Sequence, residues 1–465
     1  MAVADAIIEV LGTDNFADYE QKVYKDYQEK AELEIVNTLN VLLSSVALMQ
    51  ILKNWGAKCA FKYHGFRDIT IRLKSGRKLK IHSPVFLKAM PKKKRGRNPR
   101  RQKGRLRHLG LELLGIIKKV TPALIEICVS MAVLSPSFEV AANALRGLGI
   151  EMNQRLLQDI ICRFGDLAMG VRIDCHTEEV WQKPGINILV CVDGGRFRER
   201  RTKRGKRKKG QKRQGFHTDW VEPRLLTICQ FDEKGKKIKT INPILDGSCK
   251  SMDHFFDLLK QHLMQINLDE ASNIVFCADN GKGIWPRIDK LIDDLNLHSA
   301  KRIIDYTHAK QNIISMGSII SQALELTEKE SCKLSCKLKN LIWNGNIEGI
   351  SHLVKTMLST KEKARNAALK KLENYFEDHT KFQYKSFRDN GLPTGSGSVE
   401  SAIRRVINLR IKGTGIFWKR NNAEKIIFLR SLVLTGKLKK ACREACGIVK
   451  KMYKKRILDD LPVAA

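Results

Sequence analysis

Three acids stand where chemistry could be run. Asp193 closes the stretch Ile186-Asn-Ile-Leu-Val-Cys-Val-Asp193-Gly-Gly195, in which Ile188–Val192 is too short and too β-branched for a helix. A buried strand should therefore deliver the Asp193 carboxylate to its edge, the two glycines marking an abrupt end. Asn273-Ile-Val-Phe-Cys-Ala-Asp279-Asn-Gly281 repeats the arrangement with Asp279. Glu400 follows Gly395-Ser-Gly-Ser and falls in the first turn of a helix starting near Ser398, where the helix dipole favours negative charge. Burying an unpaired carboxylate is costly, so such acids call for a cation or for hydrogen-bond donors. Plainer alternatives stand beside this: an Asp before Gly-Gly can simply start a turn, and an acid in a first helical turn can simply answer the dipole.

The elements around these acids have a definite order. Arg224–Phe231 and Lys237–Leu245 read as strands flanking the Asp232–Gly235 turn, and Ser251–Ile266 as an amphipathic helix burying Phe255, Leu258, Leu259 and Leu263. The Asp279 strand follows, then a helix from about Pro286 and a fifth strand at Arg302–Asp305. Three antiparallel strands, a helix, a strand, a helix and a strand is the order of a ribonuclease H-like α/β fold, a mixed sheet with flanking helices. Its first and fourth strands adjoin, so acids at their ends can share a divalent cation. Residues 310–390 are highly charged and lack strand signal, which suggests a helical insertion dividing a catalytic domain into 181–309 and 391–436.

Upstream the chain reads as mainly helical. Ala17–Asn54 keeps a 3.6-residue apolar spacing through Val23, Tyr27, Leu33, Val36, Leu39, Leu43 and Val46, predicting one long helix with a stripe for another helix, a candidate dimer contact. Asp68–Ile81 alternates about Lys74-Ser75-Gly76 as a hairpin. Together these form an N-terminal region, 1–90. Cys59 and His64 lack the second ligand pair a zinc finger needs. In 109–180, Ser137 can cap a helix through Leu145, Gly147–Ile150 can turn, and Asn153 can cap a helix carrying Leu157, Ile160, Ile161 and Phe164. That spacing suits a helix-turn-helix offering Gln154, Arg155 and Gln158 to a major groove, or else two helices of a structural bundle.

Charge indicates the partner. The 465 residues hold 85 Lys and Arg against 49 acids, a net +36, and such a field attracts nucleic acid. Two runs concentrate it: Pro91–Arg107, a linker (91–108) with ten basic residues in 17, and Arg196–Arg213, with twelve in 18. The second springs from the end of the Asp193 strand, so Arg196, Arg198, Arg204 and Lys206 would bring a phosphate backbone to that acid. A solvated run is the alternative for both, and 437–465 reads as a basic tail. The best membrane candidate, Val120–Leu134, contains Pro122 and Glu126, and Met-Ala-Val-Ala-Asp has no signal-peptide pattern. The 12 cysteines are scattered without a Cys-x-x-Cys pair. No membrane, and a cytoplasmic location, are the expectations.

At Val192-Asp193-Gly-Gly, Trp220-Val-Glu222, Ala278-Asp279-Asn-Gly and Asp305-Tyr-Thr-His308-Ala the chain resembles the DDE transposases of bacterial insertion sequences. The most specific part is Gly395-Ser-Gly-Ser-Val-Glu400, followed by Arg410-Ile-Lys412-Gly-Thr-Gly415, Trp418 and Ala423-Glu-Lys-Ile-Ile-Phe-Leu-Arg430. The likeness spans roughly Asn187–Gly436. It implies Asp193, Asp279 and Glu400 as a catalytic, metal-binding triad, two Mg²⁺ or Mn²⁺ ions, and double-stranded DNA bound by a homo-oligomer, expected to be a dimer, in a bacterial or archaeal cell. In-line attack on a phosphodiester needs an activated water or 3′-hydroxyl and charge stabilisation on two oxygens, which paired hard cations held by carboxylates supply. Arg410, Lys412 and Trp418 are then expected to position a DNA end near Glu400. A nuclease or resolvase using the same acids, and a non-catalytic DNA-binding descendant, are the rival readings.

Overall fold

The structure, a computed structural model, describes residues 12, 16–88, 106–176, 178–205, 210–211, 214–281 and 283–447. The chain divides into two compact units, Met1–Gly170 with Lys439–Ala465, and Val171–Leu438. The stretches read separately as 1–90 and 109–180 thus share one unit, except that 171–180 belongs to the second.

In the first unit the single helix expected over Ala17–Asn54 is two, α1 (Phe16–Ser44) and α2 (Val46–Lys58), bent by 61°. Consecutive serines cause the break. Ser44 Oγ donates back to Asn40 O at 2.7 Å, and Ser45 Oγ accepts from Leu48 N at 3.3 Å as the cap of α2. Both satisfy backbone groups outside a continuous helix. The α1 stripe packs on a sheet rather than on another helix: Val36, Leu39 and Leu43 meet Ile69, Ile71, Leu73 and Ile81. That sheet is the expected hairpin, longer than Asp68–Ile81, made of β1 (Phe61–Arg72) and β2 (Lys78–Lys88), with β3 (Leu106–Arg107) on β2. Helices α3 (Leu109–Leu113), α4 (Pro122–Leu134), α5 (Phe138–Gly147) and α6 (Gln154–Ala168) follow. Ser137 caps α5 through Val140 N at 3.1 Å, and Asn153 caps α6 through Leu156 N at 2.8 Å. Between them Gly149 takes φ +76°, which glycine adopts freely. Among the described residues, Cys59 and His64 join no metal-ligand cluster.

The second unit is a mixed α/β structure built on a five-stranded sheet. In chain order its strands are β4 (Asn187–Gly194), β7 (Arg224–Gln230), β8 (Ile244–Ser248), β9 (Asn273–Ala278) and β10 (Lys301–Ile304), while β5 (Phe197–Thr202) and β6 (Phe216–Val221) pair separately. The sheet order is β10-β9-β4-β7-β8. β4, β7 and β8 are antiparallel neighbours, and β9 and β10 run parallel to β4. The third antiparallel strand lies later than Lys237–Leu245. Pro243 has no N–H to give the ladder, so pairing with β7 begins at Ile244. Ser251 caps α7 (Met252–Leu263), and α8 (Trp285–Asp294) precedes β10.

Residues 310–390 are helical: α9 (Tyr306–Ala323) packs on α10 (Glu328–Trp343) and α12 (Glu362–Tyr375), with α11 (Ile347–Met357) and α13 (Tyr384–Asp389) completing the set. Then α14 (Gly397–Ile403) lies on β4 and β7, runs into a π-helical turn at Arg404–Asn408, and is followed by α15 (Arg420–Leu434) against β8. Of the basic tail, Lys437 is buried, 438–447 is helical and 448–465 lies outside the described residues, as does the linker before Leu106. Among the described residues no single helix is long and apolar enough to cross a membrane.

Candidate active site

The register of β4 and β9 fixes the first two acids. Cys191 pairs with Cys277 and Val192 with Ala278, so Asp193 and Asp279 leave the same sheet edge on strands about 4.8 Å apart. Both side chains are half-buried and held by local donors. Asp193 Oδ1 accepts from Gly194 N at 2.6 Å; Asp279 Oδ1 accepts from Asn280 N at 2.7 Å and from the Tyr375 hydroxyl at 2.7 Å. Asn280 Nδ2 in turn donates to Tyr375 O at 2.6 Å, which ties the end of α12 to the second acid.

Glu400 reaches this edge because α14 is laid over β4 and β7. Ser398 Oγ sits 3.0 Å from Thr227 Oγ1 and 3.5 Å from Cys191 Sγ. The close backbone approach falls at Gly195 rather than in the Gly395-Ser-Gly397 turn before Glu400. A Cβ on Gly195 would lie 2.6 Å from Ile407 Cδ1, whereas one on Gly397 meets nothing within 4 Å and one on Gly395 makes ordinary contact at 3.5 Å. What holds that turn is Asp305, whose Oδ1 accepts from Ser396 N at 2.6 Å.

Asp305, fully buried, also caps α9 by accepting from His308 N at 3.0 Å and is hydrogen-bonded to His308 Nδ1 at 2.9 Å. Burial pushes its carboxyl up, but the bonds from His308 and Ser396 outweigh it and leave the pKa lowered. Ligand atoms of Asp305, His308 and Glu400 lie within 4.8 Å of one another. His308 appears in the block Asp305-Tyr-Thr-His308-Ala without a role from the sequence; its signal is an Asp-x-x-His spacing at a helix start. The hydrogen bond to Asp305, with the charges of Asp279 and Asp193, raises its pKa to about 9 against the effect of burial. For Asp193, burial raises the pKa, with Asp279 and Glu400 adding to it and Gly194 N–H and His308 opposing. The three acids and the imidazole therefore share one electrostatic neighbourhood. Among the described residues no Lys or Arg forms an ion pair with Asp193, Asp279 or Glu400. Carboxylate oxygens unpaired with Lys or Arg, gathered at one sheet edge, fit a hard divalent cation.

Glu424, an acid within the same resembling segment as Glu400, is built into the interior. It is 4% exposed and accepts from Arg172 Nη1 at 3.3 Å, Ser248 Oγ at 2.9 Å and Cys249 N. Arg172 also binds Asp246 with two nitrogens, at 2.7 and 2.6 Å.

The expected DNA contacts divide. Arg196 and Arg204 are exposed and Arg198 half-buried, while Lys206 lies outside the described residues. Part of the basic run Arg196–Arg213 is strand β5 of a hairpin with β6, since Phe197 and Glu199 alternate inward between the arginines. Arg410 and Trp418 are 2% and 9% exposed and stacked on each other at 4.9 Å, so neither reaches a DNA-facing surface; burial, with Arg430, lowers the Arg410 pKa to about 10. Trp418 instead joins the hairpin through its backbone, accepting from Arg200 N at 2.8 Å and donating to Arg198 O at 3.0 Å. Lys412 is exposed. Arg155 and Gln158 are exposed on α6, in the other unit.

No protein family and no curated protein matches this chain. Among solved structures it has a likeness to a Drosophila P element transposase strand transfer complex, at 12% identity over 72% of this chain and 86% of that one, with a TM-score of 0.26. A likeness at that level carries no argument, and the geometry stands without it.

Proposed function

We propose that this chain is the DNA transposase of an insertion sequence, cutting element ends and joining them to target DNA. The observation that carries the reading is the parallel pairing of β4 with β9, which sets Asp193 and Asp279 on one sheet edge with Glu400 laid across it. The order β10-β9-β4-β7-β8 supports a ribonuclease H-like catalytic domain interrupted by the helices of 310–390. Asp193, Asp279 and Glu400 would hold Mg²⁺ or Mn²⁺, a pair of which, when bound, activates the attacking water or 3′-hydroxyl and stabilises the leaving oxygen. Tyr375 orients the Asp279 carboxylate, and Asp305 fixes both the turn before Glu400 and the His308 ring. His308, cationic at neutral pH, moderates repulsion among the three acids. Lysines and arginines of the hairpin hold phosphates, and α6 reads the element end through Arg155 and Gln158. The exposed apolar face of α1, including Tyr24, Tyr27, Ile35 and Val41, suits pairing with a second copy on DNA in the cytoplasm of a bacterial or archaeal cell.

The DNA flanking the coding region, searched for inverted repeats, supplies the substrate. Labelled linear ends incubated with protein, Mg²⁺ and a circular target should yield both nicked ends and joined products. Nicking without joining would make the chain a nuclease or resolvase using the same acids, and neither product would sink the reading.

A further inference from the structure

The β5–β6 hairpin has two unlike faces. Alternation puts Phe197, Glu199, Arg201, His217, Asp219 and Val221 on one side, where charges are internally matched. Glu199 binds Arg420 at 2.8 Å and Arg201 at 3.1 Å, and Arg201 reaches Asp219 at 3.2 Å. The opposite side carries Arg198, Arg200 and Thr202 across from Trp220, Thr218 and Phe216, with no acid among them. There the guanidinium of Arg198 lies 5.3 Å from the Trp220 ring and 5.7 Å from the Phe417 ring, and Arg200 lies 4.2 Å from Phe216. Phe216 and Phe417 are 5.5 Å apart, so rings and guanidinium planes make one continuous row. Trp220 is 60% exposed and Phe216 36%, although both are large apolar side chains on an ordered strand. Among the described residues neither Arg198 nor Arg200 forms an ion pair.

Exposed rings interleaved with uncommitted guanidinium groups match a ligand that is flat, apolar on its faces and anionic along its edge. Stacked, unpaired nucleotides have that chemistry, whereas duplex DNA hides its base faces and offers only phosphates and groove edges. The hairpin also starts three residues beyond Gly194, and its first strand, β5, is clamped to Trp418, on the segment following Glu400. We infer that the Trp220–Arg198–Phe417–Phe216–Arg200 face is a stacking platform for unpaired bases of DNA beside the catalytic edge, holding a frayed or single-stranded terminus. This rests on the transposase reading and narrows its substrate from duplex ends to ends with bases freed from the helix.

The test compares two probes, a blunt duplex and the same duplex carrying an oligothymidylate tail, bound by the full chain and by Trp220→Ala. The substitution removes an exposed ring and spares the fold. Stacking is worth roughly a five- to hundredfold change in affinity per base. The parent should bind the tailed probe more tightly than the blunt one. Trp220→Ala should lose that preference while its blunt-duplex affinity stays within about twofold of the parent. Oligothymidylate should also quench tryptophan emission in the parent and much less in Trp220→Ala, because Trp181, Trp285 and Trp418 are buried, Trp55 and Trp343 are half-buried, and Trp220 alone of the six stands on the platform. Arg198→Lys, which keeps the charge and loses the plane, should weaken tailed binding with an unchanged salt slope. Equal tail preference and equal quenching in parent and Trp220→Ala would overturn the platform. Absence of Mg²⁺-dependent cleavage by the parent on either probe would instead sink the transposase reading, and with it the assignment of this face to an element end.

Discussion

Replacing Arg172 by Met should cost the second unit much of its stability without touching the catalytic edge. Arg172 is 6% exposed and is the cation shared by Asp246, 0% exposed, and Glu424, 4% exposed. It donates to Asp246 at 2.7 and 2.6 Å and to Glu424 at 3.3 Å. Methionine fills similar volume but leaves two buried carboxylates facing one apolar side chain. Asp246 would keep His262 Nε2 at 2.9 Å and Gly247 N at 2.8 Å, and Glu424 would keep Ser248 Oγ and Cys249 N. Removing one partner of a buried ion pair costs about 3–5 kcal/mol, and hydrogen bonds that survive place the loss toward the lower end. In a unit of this size, about 2–4 °C per kcal/mol, the melting temperature should fall by roughly 10 °C at pH 7. Although burial opposes it, Arg172 holds the Asp246 carboxyl well below the usual carboxylate range, so this contribution is present above an unfolded Asp pKa and lost as pH falls through the folded one. The gap between parent and Arg172→Met should therefore narrow in acid, and Glu424→Gln in the same chain should restore part of it. Thermal unfolding followed by circular dichroism at pH 7 and near pH 3, below the unfolded Asp value, reads all three. A melting temperature within 2 °C of the parent at pH 7, or a gap that widens in acid, would refute the reasoning.

Other outcomes follow from single contacts. Gly195→Ala drives a methyl into Ile407, an overpacking worth about 1–3 kcal/mol, and should slow cleavage by displacing α14; Ile407→Ala in the same chain should recover activity, which a purely local defect at Gly195 would not allow. Without divalent cations, the stabilisation from His308 should be fully present below pH 6.5 and be lost as pH rises through about 9, and His308→Asn should flatten that part of the stability profile. Arg155→Ala and Gln158→Ala should erode preference for the cognate end more than general affinity, measured by competition with unrelated duplex; an equal loss of both would remove the support for a helix-turn-helix.

The acids of the sheet edge were legible because their cause is local. An apolar β-branched run stopped by Asp and Gly needs no partner to be recognised, and the strand order that brings Asp193 beside Asp279 follows from the sequence of elements. Contacts across long separations were not legible. Glu424 looks like a free helical acid until Arg172, 252 residues earlier, is seen beside it. Arg410 and Trp418 have the composition of a DNA contact, yet tertiary packing buries them against each other. The Arg196–Arg213 run hid a strand because its basic composition masks the alternation of Phe197 and Glu199 with Arg198 and Arg200. At Gly195 the need for glycine is set by Ile407, more than 200 residues away, while the glycines beside Glu400 face open space or ordinary contact. Pro243 was a local signal that should have moved the third strand, and Ser44-Ser45 another that should have broken the first helix.

The identity of the third acid is tested most directly by cleavage and joining of labelled element ends in Mg²⁺ by Glu400→Gln beside Glu424→Gln. Gln keeps the shape of Glu and removes the charge that would hold the cation. Glu400→Gln should bind ends like the parent yet neither nick nor join them, matching Asp193→Asn and Asp279→Asn, whereas Glu424→Gln should keep measurable cleavage. Cleavage by Glu400→Gln at the parent's rate, with Glu424→Gln or Asp305→Asn inactive although folded, would contradict it.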